Sequence, residues 1–316
     1  MPTVDVVVPC YNYGRFLEQC VHSVLEQSGV DVHVLIIDDA STDDSASIAE
    51  GLASADERVS FKRHLVNARH IATFNEGIET IAADYFLLLS ADDYLLPGAL
   101  GRAAGLMERD RTVAFCFGHA TGAETVTSDF SRSGRQSRPE LIMGGEQFAR
   151  LSGPKNLVPT PTAVVRTSMQ KRVGGYLKSL PHSGDMEMWL RLAAEGSVGF
   201  INADQAVYRK HDNNMSIAYD GPADLQAREL ALREFFTHGA LKLDPSRQLE
   251  RDLLEDLAKE ALRYAGMALN RGNLGAAADF ETYGLSLSPK ARLSANWLKL
   301  AVKRTLRLLN PSRRTA

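Results

Sequence analysis

Short apolar runs alternate with amphipathic segments through the first 118 residues of this 316-residue chain, and this alternation constrains the fold more than any other feature. Residues 4–8 are β-branched and apolar and end at Pro9, which is typical of a strand buried on both faces. Residues 16–25 carry apolar side chains at helical spacing, and residues 32–37 form a second β-branched run. A strand, a helix and a strand in this order require a parallel pair with a right-handed crossover.

The alternation continues and predicts a doubly wound α/β sheet. Further helices are predicted at residues 45–54, at residues 70–82 and after Pro97, and further strands at residues 59–61, 85–89 and 113–117. Residues 121–145 are rich in Ser, Arg and Gly, which predicts a long mobile loop. Past Tyr219 the chain has long helical segments and no strand signal, so we place a domain boundary near Gly221 and Pro222.

Charge and cysteine content narrow the class of protein. A net charge of -3 and a pI near 6.3 provide no basic field, which argues against nucleic acid as a partner. The spacing of Cys10, Cys20 and Cys116 fits neither a zinc site nor a disulfide framework, so we expect three small core residues in a reducing cytoplasm. The start of the chain lacks a signal-peptide pattern, and no apolar run reaches the length of a membrane span. We therefore expect a protein of the cytoplasmic side.

Polar side chains follow three of the predicted strands at the point where each strand ends. Asn12 comes just after the first strand, Asp39 ends the second, and Asp92 and Asp93 follow the strand that ends at Leu89. In an open parallel sheet these positions share the carboxyl edge, where ligands bind. One crevice is therefore expected to collect all of them.

The chemistry expected at this edge is a divalent cation on a diphosphate. Neither the glycine-rich dinucleotide fingerprint nor a Walker loop follows the first strand, and adjacent carboxylates suit Mg²⁺ or Mn²⁺. Two simpler roles stay open, since residues 38–44 could cap the helix at Ser45, and Asp92 and Asp93 could be turn residues before Pro97. Because Asp92 and Asp93 share the edge of the sheet with Asp39, we favour the metal-binding role over the turn role.

Five ordered motifs resemble those of the family 2 glycosyltransferases, which have the GT-A fold, a Rossmann-like doubly wound and mainly parallel sheet. The motifs lie at residues 6–12, 36–43, 89–93, 184–191 and 208–216, where the last includes Asn214 and Ser216. The resemblance implies a glycosyltransferase domain at residues 1–220, with a nucleotide-sugar half at about 1–118 and an acceptor half at about 140–218. It leaves residues 221–316 as a helical C-terminal region.

The resemblance also implies roles for individual residues. Asp39 is expected to accept a hydrogen bond from the uracil ring N–H. The two groups are complementary, because the ring N–H donates and an ionised carboxylate only accepts. Asp92 is expected to face the ribose and Asp93 to bind Mn²⁺ or Mg²⁺, which offsets charge on the departing UDP. The other residues that the resemblance assigns to the nucleotide sugar are Pro9, Tyr11, Asn12, Asn67 and Arg209.

Two assignments have equally simple alternatives. His211 is expected to complete the metal site or touch the diphosphate, although a lone histidine is as often a hydrogen-bonded structural residue. Asp185 matches the family's general base, although an acid in the first turn of a helix also interacts with the helix dipole. Trp189 and Arg191, on the same predicted helix, are expected to pack and position rather than to react.

Three positions depart from the family pattern. Ser90 stands where many relatives have Asp, Phe74 where many have Arg, and Gly184 where an acid is common. With Phe74 in place of Arg, a contact to the diphosphate or nucleotide that is usual in the family is missing. Arg69 or His70 could replace that contact. The metal ligand is expected after Ser90, so that site is expected to survive.

The resemblance thus implies a metal-dependent, inverting glycosyltransferase with a UDP-sugar donor and a glycan, glycolipid or protein acceptor, of the kind that builds bacterial surface polysaccharide. Two alternatives stay open: a non-catalytic nucleotide-sugar-binding or scaffold protein, and a sugar-1-phosphate nucleotidylyltransferase, whose glycine-rich basic loop is missing here.

From Lys290 onward the chain has eight Lys or Arg and no acids. The resulting amphipathic helix could lie on the inner face of an anionic membrane or dock on neighbouring helices. Its basic residues are Lys299, Lys303, Arg304 and Arg307, and its apolar residues are Trp297, Leu298, Val302, Leu306 and Leu309.

Overall fold

The computed structural model describes residues 1–122, 140–211, 221–238, 243 and 247–309. The chain divides into two compact units, Met1–Asp212 and Asn213–Ala316, and each is described by itself. Asn214 and Ser216 of the last motif lie outside the described residues.

The first unit is built on a nine-stranded sheet. Its strands are β1 (Thr3–Cys10), β2 (Asp31–Asp38), β3 (Val59–Arg63), β4 (Tyr85–Leu88), β5 (Tyr94–Leu95), β6 (Val113–Thr121), β7 (Glu140–Met143), β8 (Val164–Arg166) and β9 (Ser197–Val207). Its helices are α1 (Gly14–Leu25), α2 (Ser45–Ala55), α3 (His70–Thr80), α4 (Ala99–Arg109), α5 (Gly145–Ser152), α6 (Thr167–Val173) and α7 (Gly184–Glu195). Two short 3₁₀ turns, Gly153–Lys155 and Thr160–Thr162, separate α5 from β8.

The strand order is β3-β2-β1-β4-β8-β6-β9-β5, with β7 added on β9. The strands β3, β2, β1 and β4 are mutually parallel, as the alternation predicts. Beyond β4 the sheet is mixed, because β8 is antiparallel to both β4 and β6, and β9 is antiparallel to β5 and β7. The α/β fold class is confirmed, but the mainly parallel sheet is corrected to one in which four of eight strand pairings are parallel.

Part of the predicted loop at residues 121–145 is wrong. Strand β7 occupies Glu140–Met143 and pairs with β9, and α5 begins at Gly145. A four-residue strand offers too short a pattern to stand out, and its pairing partner lies far along the chain. Residues 123–139 of this predicted loop lie outside the described residues.

The core of the first unit lies on both faces of the parallel strands. Helices α1 and α4 pack their apolar faces against β1, β2 and β4, and the three cysteines are buried free thiols, as expected. On the other face α3 approaches β1 so closely that a Cβ at Gly77 would lie 2.3 Å from a Val7 methyl. This close approach fixes the position of α3 on this face of the sheet.

The described residues of the second unit form helices and no strand. The helices are α8 (Pro222–His238), α9 (Gln248–Asn270), α10 (Leu274–Leu287) and α11 (Ala295–Leu309), with a 3₁₀ turn at Pro289–Leu293. None of the described helices in the chain is long and apolar enough to cross a bilayer.

Helix α11 divides the apolar residues that the sequence placed on one face. Trp297 packs against the core of the second unit and Leu300 is buried there, whereas Leu298 is 55% and Val302 is 58% exposed. Arg304 forms an ion pair with Glu281 of α10. The side chains of Leu306, Arg307 and Leu309 lie outside the described residues.

Candidate active site

The carboxyl ends of four parallel strands meet at one edge of the sheet. Backbone hydrogen bonds continue past the strands, from the Asp39 N–H to the Cys10 carbonyl (2.8 Å) and from the His64 N–H to the Asp38 carbonyl (2.8 Å). Past β4, the Ala91 N–H donates to the Pro9 carbonyl (3.3 Å), just before Asp92 and Asp93. The strand-tip side chains predicted to converge therefore share this edge.

The turn after β1 is fastened to the turn after β2. Asn12 has a left-handed backbone (φ 58°), its N–H donates to the Ser41 hydroxyl (2.9 Å), and its Oδ1 accepts from the Thr42 N–H (2.8 Å). Just before the N-cap residue Asp44, Oδ1 of Asp43 accepts from the N–H of Ser45, the first residue of α2 (3.0 Å). Asp38 and Asp39 are thus not needed for capping. Tyr11 remains 46% exposed, so its ring is available to a ligand.

Asp39 is nearly fully buried, and one of its oxygens is held by two donors. Its Oδ1 lies 2.7 Å from Nδ1 of His64 and accepts from the Ala68 N–H at 2.7 Å. The segment that supplies Ala68 includes Asn67, which is exposed and whose Oδ1 accepts from the Arg69 N–H (3.0 Å). Asn67 therefore shapes the loop before α3 and lies at its surface.

The far nitrogen of His64 contacts a second carboxylate. Nε2 lies 2.9 Å from Oε2 of Glu76, which also forms a 2.6 Å ion pair with Lys62. Burial lowers the pKa of His64, but the hydrogen bonds to Asp39 and Glu76 outweigh burial and raise it above the ordinary value. The hydrogen bond from Lys62 holds the pKa of Glu76 below its ordinary value.

The two acids after β4 contact residues that follow β9. Oδ1 of Asp93 accepts from the Arg209 N–H (3.0 Å), and the Arg209 guanidinium donates to the Asp92 carbonyl. Nε2 of His211 lies 3.0 Å from Oδ2 of Asp92, and its ring stacks on Phe16. The structure thus brings together four of the predicted site residues and places His211 within hydrogen-bond distance of Asp92.

The environment of Asp93 is unfavourable for a lone carboxylate. Asp93 is 2% exposed, and burial together with the negative charge of Asp92 raises its pKa to about 8. Among the described residues no group of three or more His, Cys, Asp and Glu side chains is arranged to hold a metal alone. Mg²⁺ at nucleotide sites takes one or two carboxylates and fills its other positions with phosphate oxygens and water. Two adjacent carboxylates and an imidazole fit such a shared site.

Asp185 lies in the first turn of α7, and its carboxylate is held on both oxygens. Oδ2 accepts from the Asn156 amide (2.9 Å) and from the Thr160 hydroxyl (3.4 Å), and Oδ1 accepts from the Met186 N–H (2.8 Å). The loop before α7 is joined to α3, because Nε2 of His70 donates to the Pro181 carbonyl (2.8 Å). Asp185 is thus connected to the helix that begins beside the Asp39 turn.

The departures from the family pattern have structural consequences. Phe74 packs edge-on against His70 and Tyr176, so it supplies an aromatic contact where an Arg would supply charge. A Cβ at Gly184 would lie 3.5 Å from the Tyr176 ring, so an acidic side chain there would start in apolar surroundings. Trp189 stacks on buried Phe115 and is a packing residue.

Sequence reasoning missed the partners of the two central acids. His64 contacts Asp39 and is itself held by Glu76, and Asn156 and Thr160 hold Asp185. His64 follows the end of β3 and Glu76 lies twelve residues later, in α3. No local sequence pattern indicates that these two residues form a pair. Only the packing of α3 on the sheet brings them together.

Comparisons with known proteins agree with the fold and the motifs. The profile of Glycosyl transferase family 2 matches residues 5–171, more than half of the chain. A relative from Bacillus subtilis, the putative teichuronic acid biosynthesis glycosyltransferase TuaG, is 26% identical over 217 residues, which are 68% of this chain and 82% of the relative.

Two solved structures share the fold at low sequence identity. The S. aureus TarS structure in complex with UDP-GlcNAc has a TM-score of 0.60 and 15% identity, over 89% of this chain and 90% of that chain. The mannosyltransferase PcManGT from Pyrobaculum calidifontis, in complex with GDP-Man and Mn²⁺, has a TM-score of 0.57 and 15% identity, over 100% of this chain and 88% of that chain. With the profile match, these likenesses show that the chain belongs to glycosyl transferase family 2 and is a glycosyltransferase of the GT-A fold.

Proposed function

We propose that this enzyme is a metal-dependent, inverting glycosyltransferase that moves a sugar from a nucleoside diphosphate, UDP in preference, to an acceptor hydroxyl. The observation that carries the proposal is the placement of Asp39, Asp92 and Asp93 on one edge of the sheet, with Arg209 and His211 against the last two. We assign residues 1–118 to the donor half, residues 140–218 to the acceptor half and residues 221–316 to a separate helical region.

The preference for UDP rests on the hydrogen bonds of Asp39. Oδ1 already accepts from His64 and Ala68, so Oδ2 is the oxygen that we assign to the base. Uracil presents one ring N–H between two carbonyls, which matches a single free acceptor, whereas guanine presents a ring N–H and an amino group side by side. We place the base beside Asp39, the exposed ring of Tyr11 and the backbone at Pro9. We include Asn12 and Asn67 as residues that shape this pocket.

The diphosphate lies, in this proposal, between the base site and the acids after β4. Asp93 and the neighbouring His211 would hold Mn²⁺ or Mg²⁺, Asp92 would face the ribose, and Arg209 would add positive charge. The cation supplies charge neutralisation for the departing diphosphate. PcManGT was solved with GDP-Man and Mn²⁺ and TarS with UDP-GlcNAc, which supports a nucleotide-sugar donor.

Asp185 is proposed as the general base. Direct attack of the acceptor oxygen on the anomeric carbon inverts the configuration and forms no covalent enzyme intermediate, so one carboxylate that takes the hydroxyl proton suffices. Asn156 and the Met186 N–H orient the carboxylate. The connection of the 181–185 segment to α3 supports a position beside the donor half.

The acceptor is proposed to be a glycan, glycolipid or protein of a bacterial surface polymer. The relative TuaG, named for teichuronic acid biosynthesis, supports this class.

Exposed Leu298 and Val302, beside exposed Lys299 on α11, suit peripheral contact with an anionic membrane on its cytoplasmic face. Full-length protein is expected to sediment with anionic liposomes, and a Leu298→Asp, Val302→Asp variant is not. Equal sedimentation of the two would exclude this surface as the membrane contact.

The decisive experiment is a screen of the purified chain against UDP- and GDP-sugars, with and without Mg²⁺ or Mn²⁺, read by release of the nucleoside diphosphate. We expect slow, metal-dependent release of UDP from one UDP-sugar. Release of GDP alone would contradict the proposed UDP-sugar donor. Release of UDP that persists in the presence of a metal chelator would contradict the proposed metal dependence. Binding of a nucleotide sugar without release under any condition would favour a non-catalytic role.

A further inference from the structure

The His64 side chain lies between two carboxylates. Its Nδ1 is 2.7 Å from Oδ1 of Asp39, its Nε2 is 2.9 Å from Oε2 of Glu76, and the side chain is 11% exposed. Ionised carboxylates only accept hydrogen bonds, so both ring nitrogens must carry a proton for both bonds to form. The arrangement therefore requires the imidazolium form, in agreement with the raised pKa of His64.

The hydrogen bonds orient Asp39 in a defined way. Both His64 and the Ala68 N–H donate to Oδ1, which directs Oδ2 towards any ligand. Ala68 is followed by Arg69, whose backbone (φ 68°, ψ 155°) lies in a region that only glycine adopts easily. Such a conformation costs about 1–3 kcal/mol and persists only where the surroundings impose it. The loop thus keeps this orientation of Asp39 against backbone strain.

The charges around His64 make its proton important for an anionic ligand. In the described part of the chain, the carboxylates that contact it are Asp39 at the end of β2 and Glu76 in α3. The charged groups next along these elements include Asp38 in β2 and Lys62 and Arg63 in β3. Lys62 pairs with Glu76 and Arg63 pairs with Asp38. The imidazolium is therefore the cation in contact with Asp39, beside the place proposed for a nucleotide with several negative charges.

We infer that His64 is a positioning residue for the nucleotide: its imidazolium, shared between Asp39 and Glu76, holds Asp39 ready for the base and makes donor affinity fall as pH rises. The inference rests on the proposed nucleotide site at Asp39. When His64 loses a proton it can donate to only one carboxylate, and the other then faces a ring lone pair. Asp39 loses its fixed orientation and its compensating charge, and both changes weaken nucleotide binding.

The test is calorimetry of UDP, and separately of GDP, with Mg²⁺ and the full chain between about pH 6 and about pH 9, a range that spans the titration of a histidine. Wild-type affinity is expected to fall about tenfold across this range, as expected for one charge-assisted hydrogen bond. His64→Gln is expected to bind about tenfold more weakly at the acid end and to give a flatter profile. Comparison of the variants at each pH cancels the titration of the nucleotide itself.

Two further variants make the outcome specific. His33→Gln removes an exposed histidine on β2 and is expected to keep the wild-type profile. Glu76→Gln removes one carboxylate from His64, so the fall in affinity is expected at lower pH, and this variant serves if His64→Gln does not fold. A wild-type profile in His64→Gln or in Glu76→Gln would overturn the inference. Unchanged nucleotide binding by Asp39→Asn would instead show that the proposed nucleotide site is wrong.

Discussion

The side-chain amide of Asn156 donates to Oδ2 of Asp185 at 2.9 Å from a left-handed backbone, a conformation that asparagine adopts more readily than most residues with a side chain. Asn156 has φ 49° and ψ 73°, in the left-handed region. Because a carboxylate only accepts, Nδ2 must face Asp185, and Oδ1 is then buried with no hydrogen-bond partner in the described part of the chain. An unsatisfied buried acceptor costs about 1–3 kcal/mol. A left-handed backbone and an orphaned polar atom thus coincide beside the proposed base.

Asn156→Gly is expected to separate stability from activity. Glycine adopts the left-handed backbone without penalty and removes the orphaned oxygen, so the melting temperature is expected to stay the same or rise. Loss of the amide leaves Asp185 poorly oriented, and kcat is expected to fall about 10²-fold, with donor KM unchanged. Asn156→Ala also removes the amide but places a residue that disfavours the left-handed backbone, so this control is expected to be less stable than the glycine variant. Parallel loss of melting temperature and kcat in Asn156→Gly would indicate a structural role only.

Asp185→Asn is expected to bind nucleotide and metal normally and to lose transfer. Loss of a general base lowers rate by about 10²–10⁴-fold, whereas loss of a contact at a helix N-terminus costs about 0.5–2 kcal/mol of stability. Single-turnover transfer and thermal unfolding measure the two effects separately. Near-normal transfer by this variant would place the base elsewhere.

Asp93→Asn is expected to remove the metal dependence of UDP binding. Asparagine is chosen because Asp93 is 2% exposed, and alanine would leave a cavity in addition to removing the carboxylate ligand. Calorimetry of UDP with and without Mn²⁺ is the measurement, and the matched variant Asp5→Asn, on β1 and outside the proposed site, controls for an Asp-to-Asn change elsewhere in the sheet. If Mn²⁺ strengthens UDP binding equally in wild type and Asp93→Asn, Asp93 is not a ligand.

Arg69→Gly and Arg69→Ala distinguish backbone strain from side-chain charge. Glycine accepts φ 68°, so Arg69→Gly is expected to be about 1–3 kcal/mol more stable than Arg69→Ala in chemical unfolding. If the exposed Arg69 side chain replaces the diphosphate contact that Phe74 lacks, both variants bind UDP more weakly by similar factors. Equal stability of the two variants would show that the backbone at this position is not strained.

The local pattern of the chain was sufficient to predict the first half of the sheet and the acids at its edge. Strands β1 to β4 are short β-branched or apolar runs separated by amphipathic helices, and period and composition are properties of adjacent residues. The positions of Asp39 and Asp93 follow from where those strands end. The start of α7 beside Asp185 was also predicted from residues close in sequence.

Only the tertiary structure decided how the second half of the sheet is ordered and what the site acids contact. Strand β8 inserts between β4 and β6, and β9 joins β5, β6 and β7, because their side chains fill the same core although local sequence does not specify their partners. The contacts of Asp39 with His64 and of Asp185 with Asn156 span 25 and 29 residues, and that of Asp92 with His211 spans 119. A hydrogen bond between residues so far apart forms only when packing has fixed both backbones, and sequence periodicity carries no information about that distance.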